Sequence, residues 1–265
     1  MLTSTVALHL SAALGSVAVI IGSLETLARP RLLADTALTS WVIARTRTPW
    51  LSSKFLQGTL GQLLAYPRVF ALIVLRLACA VLLIIGVSSV NALAASVVAA
   101  TFVLTSMRSH YGTDGADEMS FLIFASLALA FWFGSEQAQV LALWFLALQA
   151  CLAYFTAGVA KLVSSEWRRG EAIKGILGTE MYGQPWAASV LSRHSGLATV
   201  MCWSAIAFEC SFPLVLLGVK PLTYALLIGG AVFHIGTAIV MRLNTFLWAF
   251  VATYPAIAFC VAVQG

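Results

Sequence analysis

The chain has 265 residues, 61% of them hydrophobic and 9% charged, with a mean hydropathy of +0.95. That composition excludes a soluble globular domain, and a net charge of +5 spread over the connections, rather than clustered on one face with aromatics between the basic residues, excludes a nucleic-acid surface. Cys79, Cys151, Cys202, Cys210 and Cys260 stand singly inside apolar runs, so they read as small buried hydrophobes and no metal centre is expected.

The first apolar run, 5–24, has no positive residue ahead of it and no small-residue cleavage site behind it. It reads as a membrane span rather than a removed leader. Crossing a bilayer as a helix takes roughly 17–25 apolar residues. Runs of that kind follow at 69–87, 92–107, 119–135, 138–163, 196–219, 221–241 and 244–263. The predicted fold is therefore all-α, a single polytopic membrane bundle over residues 1–265 with about eight transmembrane helices. Ser88-Ser89-Val90-Asn91, the link at 134–137, Val219-Lys220-Pro221 and Arg242-Leu243 are short enough to make neighbouring helices antiparallel.

Two connections are long, 25–68 and 164–195, and both have the mixture of basic, aromatic and apolar residues that suits interfacial helices. The first holds Arg29, Arg31, Arg45, Arg47, Lys54 and Arg68 with Trp41 and Trp50, and the second holds Arg168, Arg169, Lys174 and Arg193 with Trp167, Tyr182 and Trp186. An even number of crossings puts both loops on one face together with Arg108 and Arg242, against Lys220 alone on the other. The positive-inside rule makes the loop face cytoplasmic and both termini external.

Polar groups inside the spans are the candidates for chemistry. Arg76 needs a counter-charge. Glu209, deep in its span and followed by Pro213, offers a structural ion pair with Arg76, a proton relay or a ligand contact. Asp114, Asp117 and Glu118 precede the span at 119–135; they suit the positive end of a helix, and three acids also suit a cation or the mouth of a site. Tyr154, Gly158 and Lys161 share one helical face, where a missing side chain between a phenol and an amine leaves a groove open to the backbone. A lysine near the end of a span also serves as a headgroup anchor, and when desolvated it becomes a usable neutral base. His234 reads either as a neutral core residue or as a ligand contact, with no second metal-ligating group at helical spacing.

The segment Tyr154-Phe155-Thr156-Ala157-Gly158-Val159-Ala160-Lys161-Leu162, with Trp167 and Gly170 beyond it, resembles the catalytic-lysine motif of the vitamin K-dependent gamma-carboxylase family. The likeness is to that family's membrane domain, the HTTM domain shared with bacterial relatives. Phe233-His234, with Asn244, Phe246 and Pro255, resembles the family's later histidine segment, Glu209 falls where the family has an intramembrane acid, and the turn at 114–118 is similar to that of bacterial members. Ala160-Lys161 replaces the family's double lysine, the acidic turn differs from the animal sequence, and the extramembrane domain of the animal enzyme is expected to be absent.

The resemblance implies a membrane enzyme, an oxidoreductase with carboxylase or lyase chemistry. Its lysine deprotonates a reduced quinone, vitamin K hydroquinone or menaquinol, which with O2 becomes a base strong enough to take a carbon-bound proton. In the animal enzyme CO2 then adds to a glutamate side chain. On this reading Lys161, His234 and Glu209 are catalytic, Tyr154, Gly158 and Trp167 meet the cofactor, and Arg76, Asp114, Asp117, Glu118 and Asn244 support them. The substrate is a small molecule or a peptide, and the location is the cytoplasmic membrane of a bacterium, in contact with the lipid bilayer. The rivals are a non-catalytic membrane partner or transporter in peptide maturation or export, and a quinone-binding subunit that passes electrons to a partner redox protein.

Overall fold

The computed structural model describes residues 2–37, 39–47, 54–108, 114–180 and 182–264; Trp50 and the side chains of Arg47 and Lys54 lie outside that description. The described residues form helices and no strands: α1 Ser4–Ala28, α2 Trp41–Arg47, α3 Lys54–Leu64, α4 Val69–Ile85, α5 Asn91–Arg108, α6 Gly115–Phe133, α7 Glu136–Val163, α8 Ser165–Arg168, α9 Glu171–Leu177, α10 Pro185–Arg193, α11 Ser195–Ser211, α12 Lys220–Met241, α13 Asn244–Val251 and α14 Tyr254–Gln264. A 3-10 segment at Phe212–Leu217 prolongs α11, because Pro213 has no N–H to continue the α ladder.

Seven helical stretches among the described residues are long and apolar enough to cross a membrane: α1, α5, α6, α7, Ser195–Leu217, α12 and Asn244–Gln264. The eighth run read from the sequence is α4, whose 17 residues sit at the short limit of roughly 17–25. Gly86, at φ 76°, ends it in the left-handed conformation that favours glycine. Large apolar side chains point outward along these helices, among them Phe133 at 74% exposure and Leu141 at 70%. In water that surface would drive aggregation; in a bilayer it is the lipid contact. The protein is an integral membrane protein and an all-α polytopic bundle.

Backbone contacts gather into two units, Leu8–Ala142 and a second made of Met1–Ala7 with Leu143–Gly265. In the first, α5 lies between α4 and α6, and Leu83, Ile123, Phe124 and Leu127 are fully buried. Arg76, buried in α4, donates from Nε to the Ser23 hydroxyl at 3.2 Å and lies 5.0 Å from the centroid of the Phe102 ring. Arg108, at the end of α5, donates to the carbonyls of Leu64 at 2.9 Å, Thr39 at 2.8 Å and Leu33 at 2.5 Å. Beside it, Trp41 and Ala44 of α2 pack on Leu64 and Leu72.

Asp114 caps α6: one carboxylate oxygen accepts from the amides of Ala116 at 3.0 Å and Asp117 at 3.1 Å. Capping and the helix dipole thus account for Asp114. Asp114→Ala is expected to lower stability by about 1 kcal/mol, read from thermal unfolding in detergent, while Asp114→Asn retains most of the cap.

The second unit is built on the part of α7 from Leu143 onward, α11 with its 3-10 extension, α12 and the broken pair α13–α14. Short helices α8 to α10 form the long connection after α7, and Leu177, Ala187, Leu191 and Ala198 close a small core among α9, α10 and α11. The last span is interrupted at Ala252–Thr253, and Pro255 sits in the first turn of α14, where its missing N–H breaks no hydrogen bond.

Candidate functional site

Six of the sequence candidates, Tyr154, Gly158, Lys161, Trp167, Glu209 and His234, gather in this second unit. The shared face of Tyr154, Gly158 and Lys161 is real, and α11 lies along it. A β-carbon on Gly158 would come within 2.7 Å of the Cys210 amide nitrogen, 2.8 Å of its sulfur and 2.9 Å of Glu209 Cβ. The expected groove at Gly158 is therefore a close helix crossing, and glycine is what lets the backbones approach.

That crossing brings the two charges together. Lys161 Nζ donates to both carboxylate oxygens of Glu209, at 2.8 and 2.7 Å. The carboxyl that the sequence offered to Arg76 is thus held by Lys161. Glu209 is 5% exposed at its side chain and Lys161 19%, so the pair is set well into the protein. The Lys161 ammonium also lies 5.1 Å from the centre of the Trp167 ring, a cation–π contact.

Trp167 is held there by its own turn. Ser164 caps α8 by accepting from the Trp167 amide at 3.3 Å, and its hydroxyl donates to Glu166 at 2.9 Å. Glu166, on the surface, has its carboxyl held below the usual range by its own backbone amide and by the Ser164 and Ser165 hydroxyls. Beyond the turn, Gly170 at φ 77° packs so tightly on α11 that a β-carbon would meet Thr199 main-chain nitrogen at 2.7 Å, and Trp203 Nε1 donates to the Arg168 carbonyl at 3.2 Å. Gly170, singled out by motif alone, is a docking point of the α8–α9 turn.

One turn of α7 before Gly158, the Tyr154 hydroxyl lies 2.7 Å from His234 Nε2 and 3.2 Å from the Tyr254 hydroxyl. Aromatic rings enclose this second polar group: Tyr154 stacks on Phe212 at 3.8 Å and meets Phe250 edge-on at 5.1 Å, while His234 stacks on Phe250 at 4.7 Å. Gly230, one turn before His234, admits the hydroxyls; a β-carbon there would collide with Tyr254 Oη and lie 3.3 Å from Tyr154 Oη. His234 Nδ1 is buried and has no hydrogen-bond partner among the described residues.

Tyr254 escaped the sequence reading. Its signal was present in Tyr254-Pro255, an interruption in an apolar run. Asn244, by contrast, is exposed at the start of α13. Arg76, Asp114, Asp117 and Glu118 belong to the first unit.

The HTTM domain profile matches residues 124–261, just over half of the chain. The chain belongs to the HTTM family. No curated protein and no solved structure is matched significantly by this chain. The HTTM match makes it a membrane protein related to the vitamin K-dependent carboxylase family. The Lys161–Glu209 pair, the tyrosine–histidine group and Trp167 all fall inside the HTTM segment.

Proposed function

We propose that this HTTM protein is a quinol-dependent membrane enzyme in which Lys161 is the base and Glu209 receives its proton. The observation that carries this reading is the bidentate ion pair between Lys161 and Glu209. Apolar surroundings penalise the ammonium and carboxylate together, and passing one proton from Nζ to the carboxyl leaves two neutral groups at the same spot. The neutral amine so formed is a competent general base.

A buried imidazole nitrogen with no partner among the described residues, beside stacked aromatic rings, would suit the oxygen and flat ring of a quinone. His234 would hold that oxygen through Nδ1 while Tyr154 fixes the ring from its Nε2 side, and Trp167 would shield the lysine from lipid and water. A reduced quinone, with O2, would supply the strong base that removes a carbon-bound proton from the substrate, and CO2 is a candidate co-substrate. The substrate is a small molecule or peptide, and the long loops face the cytoplasm of a bacterial cell.

Lys161→Ala in lipid nanodiscs is expected to lower O2-dependent menaquinol turnover by at least about 100-fold, with the protein still folded. Unchanged turnover in that variant would sink the proposed base role. A second reading has an observation of its own: Lys161 is already fully engaged by Glu209 and Trp167, as a structural ion pair would be. It expects no menaquinol turnover in the parent protein and no quinone carried through purification, which native mass spectrometry detects.

A further inference from the structure

We propose that Tyr254 is a positioning residue that fixes the tautomer of His234 with its proton on Nδ1, so that His234 meets its ligand as a hydrogen-bond donor. The ligand oxygen at that point is then an acceptor, a carbonyl or a deprotonated phenol. This rests on the reading of the site as a quinone pocket only for the identity of the ligand; the tautomer follows from the protein alone.

His234 is 4% exposed, lies face to face with Phe250, and has no carboxylate among its hydrogen-bond partners. An unpaired imidazolium is costly in such a place, so the ring carries one proton. Three groups share the chain of contacts, Tyr254 Oη, Tyr154 Oη and His234 Nε2, and each hydroxyl has a single hydrogen to give.

If Nε2 holds the imidazole proton and donates to Tyr154, Tyr154 donates onward to Tyr254. The Tyr254 hydrogen then has no acceptor among the described residues, and Nδ1 is left as a second unsatisfied atom. If instead Tyr254 donates to Tyr154 and Tyr154 donates to a bare Nε2, both hydroxyl hydrogens are used. The one group left over is N–H at Nδ1, the buried atom without a partner. A buried polar group left without a partner is costly, so the second polarity wins by one such group. Removing the Tyr254 hydroxyl removes the donor to Tyr154 and with it much of the bias.

The test is nitrogen NMR on protein labelled with 15N-histidine in nanodiscs, with His234→Gln used to assign the signal. The expected result is a protonated Nδ1 and a bare Nε2 in the parent protein, and in Tyr254→Phe a weaker protonated-Nδ1 signal beside the opposite tautomer. A protonated Nε2 in the parent protein overturns the proposal, and a spectrum unchanged in Tyr254→Phe overturns the part given to Tyr254. Menadione is then added as an acceptor-only probe. A shift of the Nδ1 resonance on binding, with affinity about tenfold weaker in Tyr254→Phe, supports the proposal. Binding that leaves Nδ1 untouched overturns the ligand contact. Absence of menadione binding, with the tautomer as stated, defeats the quinone reading and leaves the tautomer assignment standing.

Discussion

Glu209→Leu is expected to destabilise the protein by about 3–5 kcal/mol, and adding Lys161→Met is expected to restore most of that loss. The single change leaves an ammonium whose two short hydrogen bonds, 2.8 and 2.7 Å, have no replacement. Its side chain is 19% exposed and near the end of α7, so it can bend toward the headgroups, which places the loss at the lower end of that range. The double change removes both desolvation costs and leaves two apolar side chains of similar length, which is why recovery follows. Thermal unfolding of the parent, both single variants and the double variant in one detergent gives the coupling directly. Losses that simply add would mean that the two charges do not stabilise each other.

Gly158→Ala is expected to cost about 1–3 kcal/mol and to lengthen the Lys161–Glu209 bond at the same time. The new methyl group would meet an amide nitrogen at 2.7 Å and a β-carbon at 2.9 Å, both fixed to the backbone of α11, so no side-chain rotation relieves them. The helices must separate, and the separation begins at Glu209 itself. Adding Cys210→Ala removes only the sulfur contact at 2.8 Å and should return a minor part of the stability. A Gly158→Ala protein with parental unfolding temperature would show that the crossing is looser than described.

The spans were legible because crossing a bilayer imposes length and hydropathy on each helix independently of every other. That is why the run at 138–163 maps onto α7 and the run at 221–241 onto α12 within a few residues. Partner choice was not legible in the same way. Arg76 and Lys161 were both cations in want of a carboxylate, and which of them Glu209 serves depends on a helix crossing set by Gly158. Gly158 marks a gap in the sequence, and in the structure α11 lies against it; a gap on one helix carries no label for what fills it. Tyr254 was missed for a different reason: its role depends on Gly230 and Tyr154, contributed by two other helices, and only the break before Pro255 marked it locally.

Arg108 has a consequence for how the chain is assembled. Its guanidinium holds the carbonyls of Leu33, Thr39 and Leu64, three points on a connection that is synthesised well before residue 108. That connection cannot reach its final arrangement when it leaves the ribosome, since the group that gathers it arrives only with the end of α5. Until α5 is in place, the carbonyls of Leu33, Thr39 and Leu64 lack the one guanidinium that they share.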